Sequence, residues 1–113
     1  MLTPSDAVES LAALAQEHRL AAYRLLVQAG GPGLSAGAIS ECLDLPPSSL
    51  SFHLNHLMRA GLIEQQRQGR LQIYRANYVA MTGLIDFLTE NCCAGASCGP
   101  GVARAPVARE DAA

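Results

Sequence analysis

Aromatic side chains make up only 4% of the chain, and lysine is absent, all eight basic residues being arginine. Half of the residues are hydrophobic, but many of these are alanine. A core assembled from such small groups is thin, and a small chain buries proportionally less of its surface than a large one. Part of the apolar surface is therefore expected to be covered by a second copy. No run approaches the ~18 consecutive apolar residues of a membrane span, which excludes a membrane partner. Met1-Leu2-Thr3-Pro4-Ser5-Asp6 lacks the charged and apolar regions of a secretory signal, so the expected location is cytoplasmic. No internal repeat is visible. What remains is 113 residues, apolar enough to fold and long enough for one small domain.

The net charge of −2 argues at first against a polyanionic partner. Its distribution argues the other way. Between Pro46 and Tyr78 stand four arginines (Arg59, Arg67, Arg70, Arg75) and a single acid, Glu64; the other nine acids lie outside that stretch. A local excess of this kind marks a nucleic-acid footprint better than the whole-chain sum does.

Along the chain, Pro4-Ser5-Asp6 predicts a helix start, with Val8, Leu11, Leu14 and Ala15 at helical spacing behind it. A second helix is expected from about Glu17 to Ala29, with Leu20, Tyr23, Leu26 and Val27 inward, stopped by Gly30-Gly31-Pro32-Gly33. Ser35 caps a short third helix ending at Leu43, and Asp44-Leu45-Pro46-Pro47 breaks the chain. Ser48 opens a fourth helix that Gly61 ends. The period then changes: Leu62–Arg67 and Leu71–Arg75 read as strands joined by a turn at Gln68-Gly69-Arg70. A fifth helix, about Val79 to Glu90, carries Met81, Leu84, Ile85 and Leu88 on one stripe. The expected class is mainly α with a β-hairpin, a homodimeric winged helix-turn-helix. Residues 1–91 form the DNA-binding and dimerisation domain, and 92–113 a cysteine-containing, partly disordered tail.

On a wheel of ~100° per residue, the fourth helix turns Leu50, Leu54 and Leu57 to one side. Ser48, Phe52, Asn55 and Arg59 point the opposite way, and Ser49, Ser51 and His56 occupy the shoulders. This outward face suits a major groove. Asn binds adenine bidentately, Ser bonds bases or phosphate, and Phe covers a thymine methyl. Arg67 and Arg70 flank the hairpin tip, within reach of the backbone or minor groove. A polar face that docks a protein instead is the competing reading, and the surrounding arginines favour double-stranded DNA. His53 sits at the boundary of the core and is expected to be packed and hydrogen-bonded, while His18 reads as a helix-start residue.

Of four cysteines, Cys92, Cys93 and Cys98 fall inside seven residues, and Cys42 stands alone as an expected small buried hydrophobe. Clustered cysteines in a reducing compartment more often bind a metal or do redox chemistry than form a structural disulfide. No Cys-x-x-Cys on a βαβ pattern and no evident general base is present, which argues against a thiol enzyme.

Leu14-Ala15-Gln16-Glu17-His18-Arg19-Leu20 resembles the opening signature of the ArsR/SmtB family of arsenic- and metal-responsive repressors. Ser48-Ser49-Leu50-Ser51-Phe52-His53-Leu54, with Leu57 and Ala60-Gly61-Leu62, resembles that family's recognition helix, and Gly69-Arg70 with Ile73-Tyr74 its wing. The resemblance covers about residues 8 to 92. It implies a homodimer with its first and last helices at the interface, bound to a two-half-site operator and released by a ligand. One family site needs Cys-x-Cys on the helix before the recognition helix, where only Cys42 stands. Another needs histidine on the last helix, which offers Asp86 and Glu90. The remaining trio, Cys92, Cys93 and Cys98, resembles the C-terminal tricysteine site of arsenite-responsive members. Trivalent arsenic is soft and prefers three sulfurs in a pyramid, whereas structural zinc wants a fourth ligand. Arsenite is thus the expected inducer, with antimonite as a related ion. Thiol redox and other soft metals (Cd, Pb) stay open as alternatives. Adjacent cysteines in a continuous helix diverge by ~100°, so Cys92 and Cys93 converge only if the helix ends there.

Overall fold

The computed structural model describes residues 2–95. The chain begins with α1 (Pro4–Leu14), where proline occupies a first-turn position that needs no donor. Thr3, just ahead of the expected start, caps it. Its hydroxyl accepts from Asp6 N at 3.1 Å, and the Asp6 carboxylate accepts from Thr3 N at 3.2 Å. The buried face is not the expected one. Ala7, Ser10 and Ala13 turn inward, whereas Val8 is 64% exposed and Leu11 43%. The small side chains let α1 approach its neighbours closely and leave the bulky stripe outside.

In α2 (Glu17–Ala29), Gln16 caps the first turn by accepting from the amides of His18 and Arg19, and Gly30, at φ 76°, ends the helix. Tyr23 and Leu26 are buried as expected, while Leu20 and Val27 are exposed. A two-residue strand that the pattern did not foretell, β1 (Leu34–Ser35), follows. Ser35 also caps α3 (Ala36–Leu43), its hydroxyl accepting from Ala38 N. Asp44 adopts left-handed backbone at the break. The next helix, α4 (Pro47–Arg59), begins one residue before Ser48; Pro46 is its cap residue and makes no side-chain cap bond.

The hairpin is β2 (Ile63–Gln68) and β3 (Leu71–Ala76), paired from Ile63↔Ala76 to Gln68↔Leu71. Gly69, at φ 62°, takes the first position of the two-residue turn, as a type II′ turn requires. Because β1 pairs with β3 (Leu34↔Tyr74, Ser35↔Ile73), the sheet order is β1-β3-β2. Leu26, Ile39, Leu50, Leu54, Leu57 and Leu62 are fully buried and centre the core where α2, α3 and α4 meet the sheet.

The last helix, α5 (Tyr78–Leu88), starts on Asn77, whose side chain accepts from Ala80 N and donates to Gly61 O at 3.0 Å. That second bond ties α5 to the end of α4. Leu84 is buried, but Ile85 (52%) and Leu88 (56%) are exposed, as Val79 is. The helix stops short of the expected Glu90. Asn91 turns into the left-handed region, and Cys92–Gly95 forms a short 3-10 turn with Cys93 and Ala94 also at positive φ.

Candidate nucleic-acid interface

With Leu50, Leu54 and Leu57 packed inward, helical geometry turns the remaining residues of α4 outward. Ser48, Ser49, Ser51, Asn55 and Arg59 are exposed, and Phe52 is 59% exposed despite its size. His56 is half-buried, its ring 4.7 Å from that of Phe52 in an edge-on contact. The sequence-derived face is thus assembled on one side of the helix. The first turn of α4 holds no acid and no side-chain cap, so its unpaired amides face solvent with the positive end of the helix dipole.

In the hairpin, Arg67 and Arg70 are exposed at the tip, and Arg67 Nε donates to Gly69 O at 3.2 Å. Arg75, counted in the basic footprint, is engaged internally instead. Its Nε donates to Gly31 O at 3.1 Å, and its guanidinium also bonds the Gln66 side-chain oxygen. It holds the sheet against the loop between α2 and β1.

Behind the outward face lies a group of imidazoles. His53 is half-buried, as expected, but its Nδ1 is shielded from solvent and has no hydrogen-bond partner among the described residues. Burial lowers its pKa from the ordinary histidine value, and the charges of Arg19, His18 and His56 push the same way. Arg19 plays a structural part that sequence reasoning missed, its Nε donating to Ala13 O at 2.7 Å across the α1–α2 corner. The Glu17-His18-Arg19 signature carried no sign of that bond, because the acceptor is a backbone carbonyl.

Cys92 is half-buried and Cys93 exposed, both on the turn after α5. The helical divergence of neighbouring cysteines therefore does not apply to them. Cys98 lies outside the described residues. Among those described, no three metal-ligating side chains converge. Cys42, expected to be buried, is exposed on α3, because Ile39 takes the inward position of that short helix. No helix among the described residues is long and apolar enough to cross a membrane.

Two helices across a sharp break, the second with a polar outer face, and a hairpin in a three-stranded sheet define a winged helix-turn-helix. Comparison with known proteins agrees. A family model described as a helix-turn-helix domain matches residues 14–66. The transcriptional activator HlyU of Vibrio cholerae serotype O1 is 32% identical over 89 residues, which cover 79% of this chain and 80% of HlyU. The solved HlyU structure matches with a TM-score of 0.63 at 31% identity, covering 79% of this chain and 94% of that one. An ArsR-like transcriptional regulator from Rhodococcus sp. RHA1 matches with a TM-score of 0.69 at 26% identity, covering 80% and 82% of the two chains. The homodimeric winged helix-turn-helix DNA-binding domain of a possible ArsR-family regulator from Mycobacterium bovis shares the fold. Its TM-score is 0.62 at 24% identity, with 85% and 89% covered. The chain belongs to the ArsR family of transcriptional regulators, and its winged helix-turn-helix is a DNA-binding domain.

Proposed function

We propose that the protein is an arsenite-responsive repressor that acts as a homodimer and leaves its operator when trivalent arsenic binds Cys92, Cys93 and Cys98. The observation that carries this reading is the end of α5 at Leu88, followed by reversed backbone at Asn91, Cys93 and Ala94. It frees two adjacent thiol-bearing residues from helical divergence, and Cys98, five residues on, is the third donor that the proposal requires. Three thiols replace the three hydroxyls of arsenous acid, forming three As–S bonds and releasing three waters without a change in net charge. Thiolates match the softness of the ion, and antimonite shares that chemistry.

DNA is read by Ser48, Ser49, Ser51, Phe52, Asn55, His56 and Arg59 in the major groove, while Arg67 and Arg70 hold the backbone beside it. The exposed apolar residues of α1 and α5 (Val8, Leu11, Ile85, Leu88) supply the dimer interface, in keeping with the homodimeric Mycobacterium bovis domain. In the dimer, two α4 helices stand about one DNA turn apart, ~34 Å. Arsenic capture pulls on the end of α5, within the interface, and alters the spacing of the two heads. Linkage then requires operator DNA to weaken arsenite binding by the same factor.

The test is fluorescence anisotropy of a labelled duplex, selected from a random pool, with full-length reduced protein under anaerobic titration. Arsenite should release the DNA, and serine at Cys92, Cys93 or Cys98 should leave DNA binding intact while abolishing release. Release by arsenite from all three serine variants, or by peroxide, cadmium or lead but not arsenite, overturns the proposal.

A further inference from the structure

Beside the outward face of α4, a hollow of about 480 Å³ opens between α1, α2 and α4. Alanines from α1 and from the end of α4 (Ala12, Ala13, Ala60) floor it, and Arg19, His56, Arg59 and Glu9 stand around it. Arg19 is held in place by its Nε bond to Ala13 O, while its terminal nitrogens have no partner among the described residues. Arg59 likewise meets no carboxylate among them, and Glu9 pairs with neither arginine. Two arginines and an imidazole from two helices thus converge on an apolar-floored cavity whose one lining acid, Glu9, is paired with neither arginine.

The size decides what such a cavity accepts. A phosphate oxygen cluster would use the cations but leave the alanine floor empty. A cavity of this volume lies in the range of small-molecule sites, which combine apolar walls with a few placed polar groups. Arginine forks pair bidentately with a carboxylate.

We propose that this hollow is a second ligand site, separate from the tail thiols, that takes a small organic carboxylate with an apolar body. The carboxylate pairs with Arg59 and Arg19, and the body lies over Ala12, Ala13 and Ala60. Occupancy neutralises Arg59 and crowds His56 on the helix assigned to the DNA groove. A carboxylate and the duplex therefore oppose one another, and the protein integrates two inputs.

Benzoate is a suitable probe, with benzyl alcohol as its uncharged counterpart and inorganic phosphate as the bare anion. Each is titrated into the full-length protein while its 1H–15N spectrum is recorded. Benzoate should give saturable shifts centred on the amides of Ala12, Ala13 and Ala60 and on Arg19 Nε. Arg59→Gln should weaken binding roughly tenfold, the scale of a lost charge-assisted hydrogen bond. Ala12→Leu, which fills the floor and touches no cation, should abolish it. The proposal is overturned if benzoate does not saturate at millimolar concentration, if benzyl alcohol or phosphate reproduces its shifts at equal affinity, or if both variants bind as the parent does. None of these readouts involves arsenic, so they stand or fall apart from the thiol assignment.

Discussion

The imidazoles of His18 and His53 lie 5.6 Å apart, centroid to centroid, with their planes tilted by 41°. One ring belongs to the first turn of α2 and the other to the middle of α4, so the contact joins these two helices. Phe52 packs edge-on against His53 and also against His56. The exposed aromatic of the outward face is thus flanked by a row of rings, one of which has a shielded nitrogen without a partner among the described residues.

That row makes stability depend on pH. The folded pKa of His53 lies below its unfolded value of about 6.5, so between the two the unfolded chain binds the extra proton. The contribution of His53 is level above about pH 6.5, falls as the pH drops from there towards the folded pKa, and levels again below it. Urea midpoints measured from about pH 7.5 down to pH 5 should show this decline, and His53→Leu should flatten it. An unchanged slope in the variant would assign the effect to other groups.

Gly33, at φ 69°, presses against the sheet: a Cβ there would overlap the Tyr74 carbonyl oxygen and approach Ile73 Cγ2 to 2.9 Å. Both obstacles belong to β3, and the backbone oxygen cannot rotate aside. Gly33→Ala is expected to destabilise the protein by ~2 kcal/mol or more, combining left-handed strain with a clash. Gly31→Ala, with open space around it, should change stability little. Thermal melts of the pair decide the matter.

Two residues of α4 separate folding from reading. Leu54 is 1% exposed in the core, and Leu54→Ala should lower stability by ~2–5 kcal/mol. Phe52→Ala should alter stability by no more than ~0.5 kcal/mol. It should nevertheless weaken binding to a selected duplex and relax the base preference beneath it. Equal loss of stability in both variants would contradict the outward placement of Phe52.

Salt dependence tests the wing. If Arg67 and Arg70 each hold one phosphate, replacing either with alanine should reduce the slope of log K against log salt by ~0.9. Arg75→Ala should instead loosen the sheet through its lost bond to Gly31 O and lower the melting temperature. A slope change for Arg75 equal to that for Arg67 would place it at the duplex.

Much of this architecture is legible in the sequence because local chemistry and packing agree. The bounds of α2 and α3 follow from Gln16, Gly30 and Ser35, residues whose side chains or backbone freedom act within a few positions. The polar face of α4 follows from the spacing of Leu50, Leu54 and Leu57. What escaped depends on distant partners. Two residues cannot announce a strand, and β1 exists because β3 offers it a ladder. The inward side of α1 was misjudged because its bulkier stripe reads as core, while close approach selects Ala7, Ser10 and Ala13. The Arg19 bond escaped because its acceptor is a backbone carbonyl across the α1–α2 corner, and the hollow beside it arises only when three helices meet.

The short pairing of Leu34 and Ser35 with β3, together with the Arg75 clasp on Gly31, welds hairpin and helix pair into a single stiff unit. The hairpin is thus anchored at its base to the segment that joins the second and third helices. Whatever moves the base of the wing must therefore also move Gly31 and Leu34, so the two travel together, as a key's bit follows its shaft.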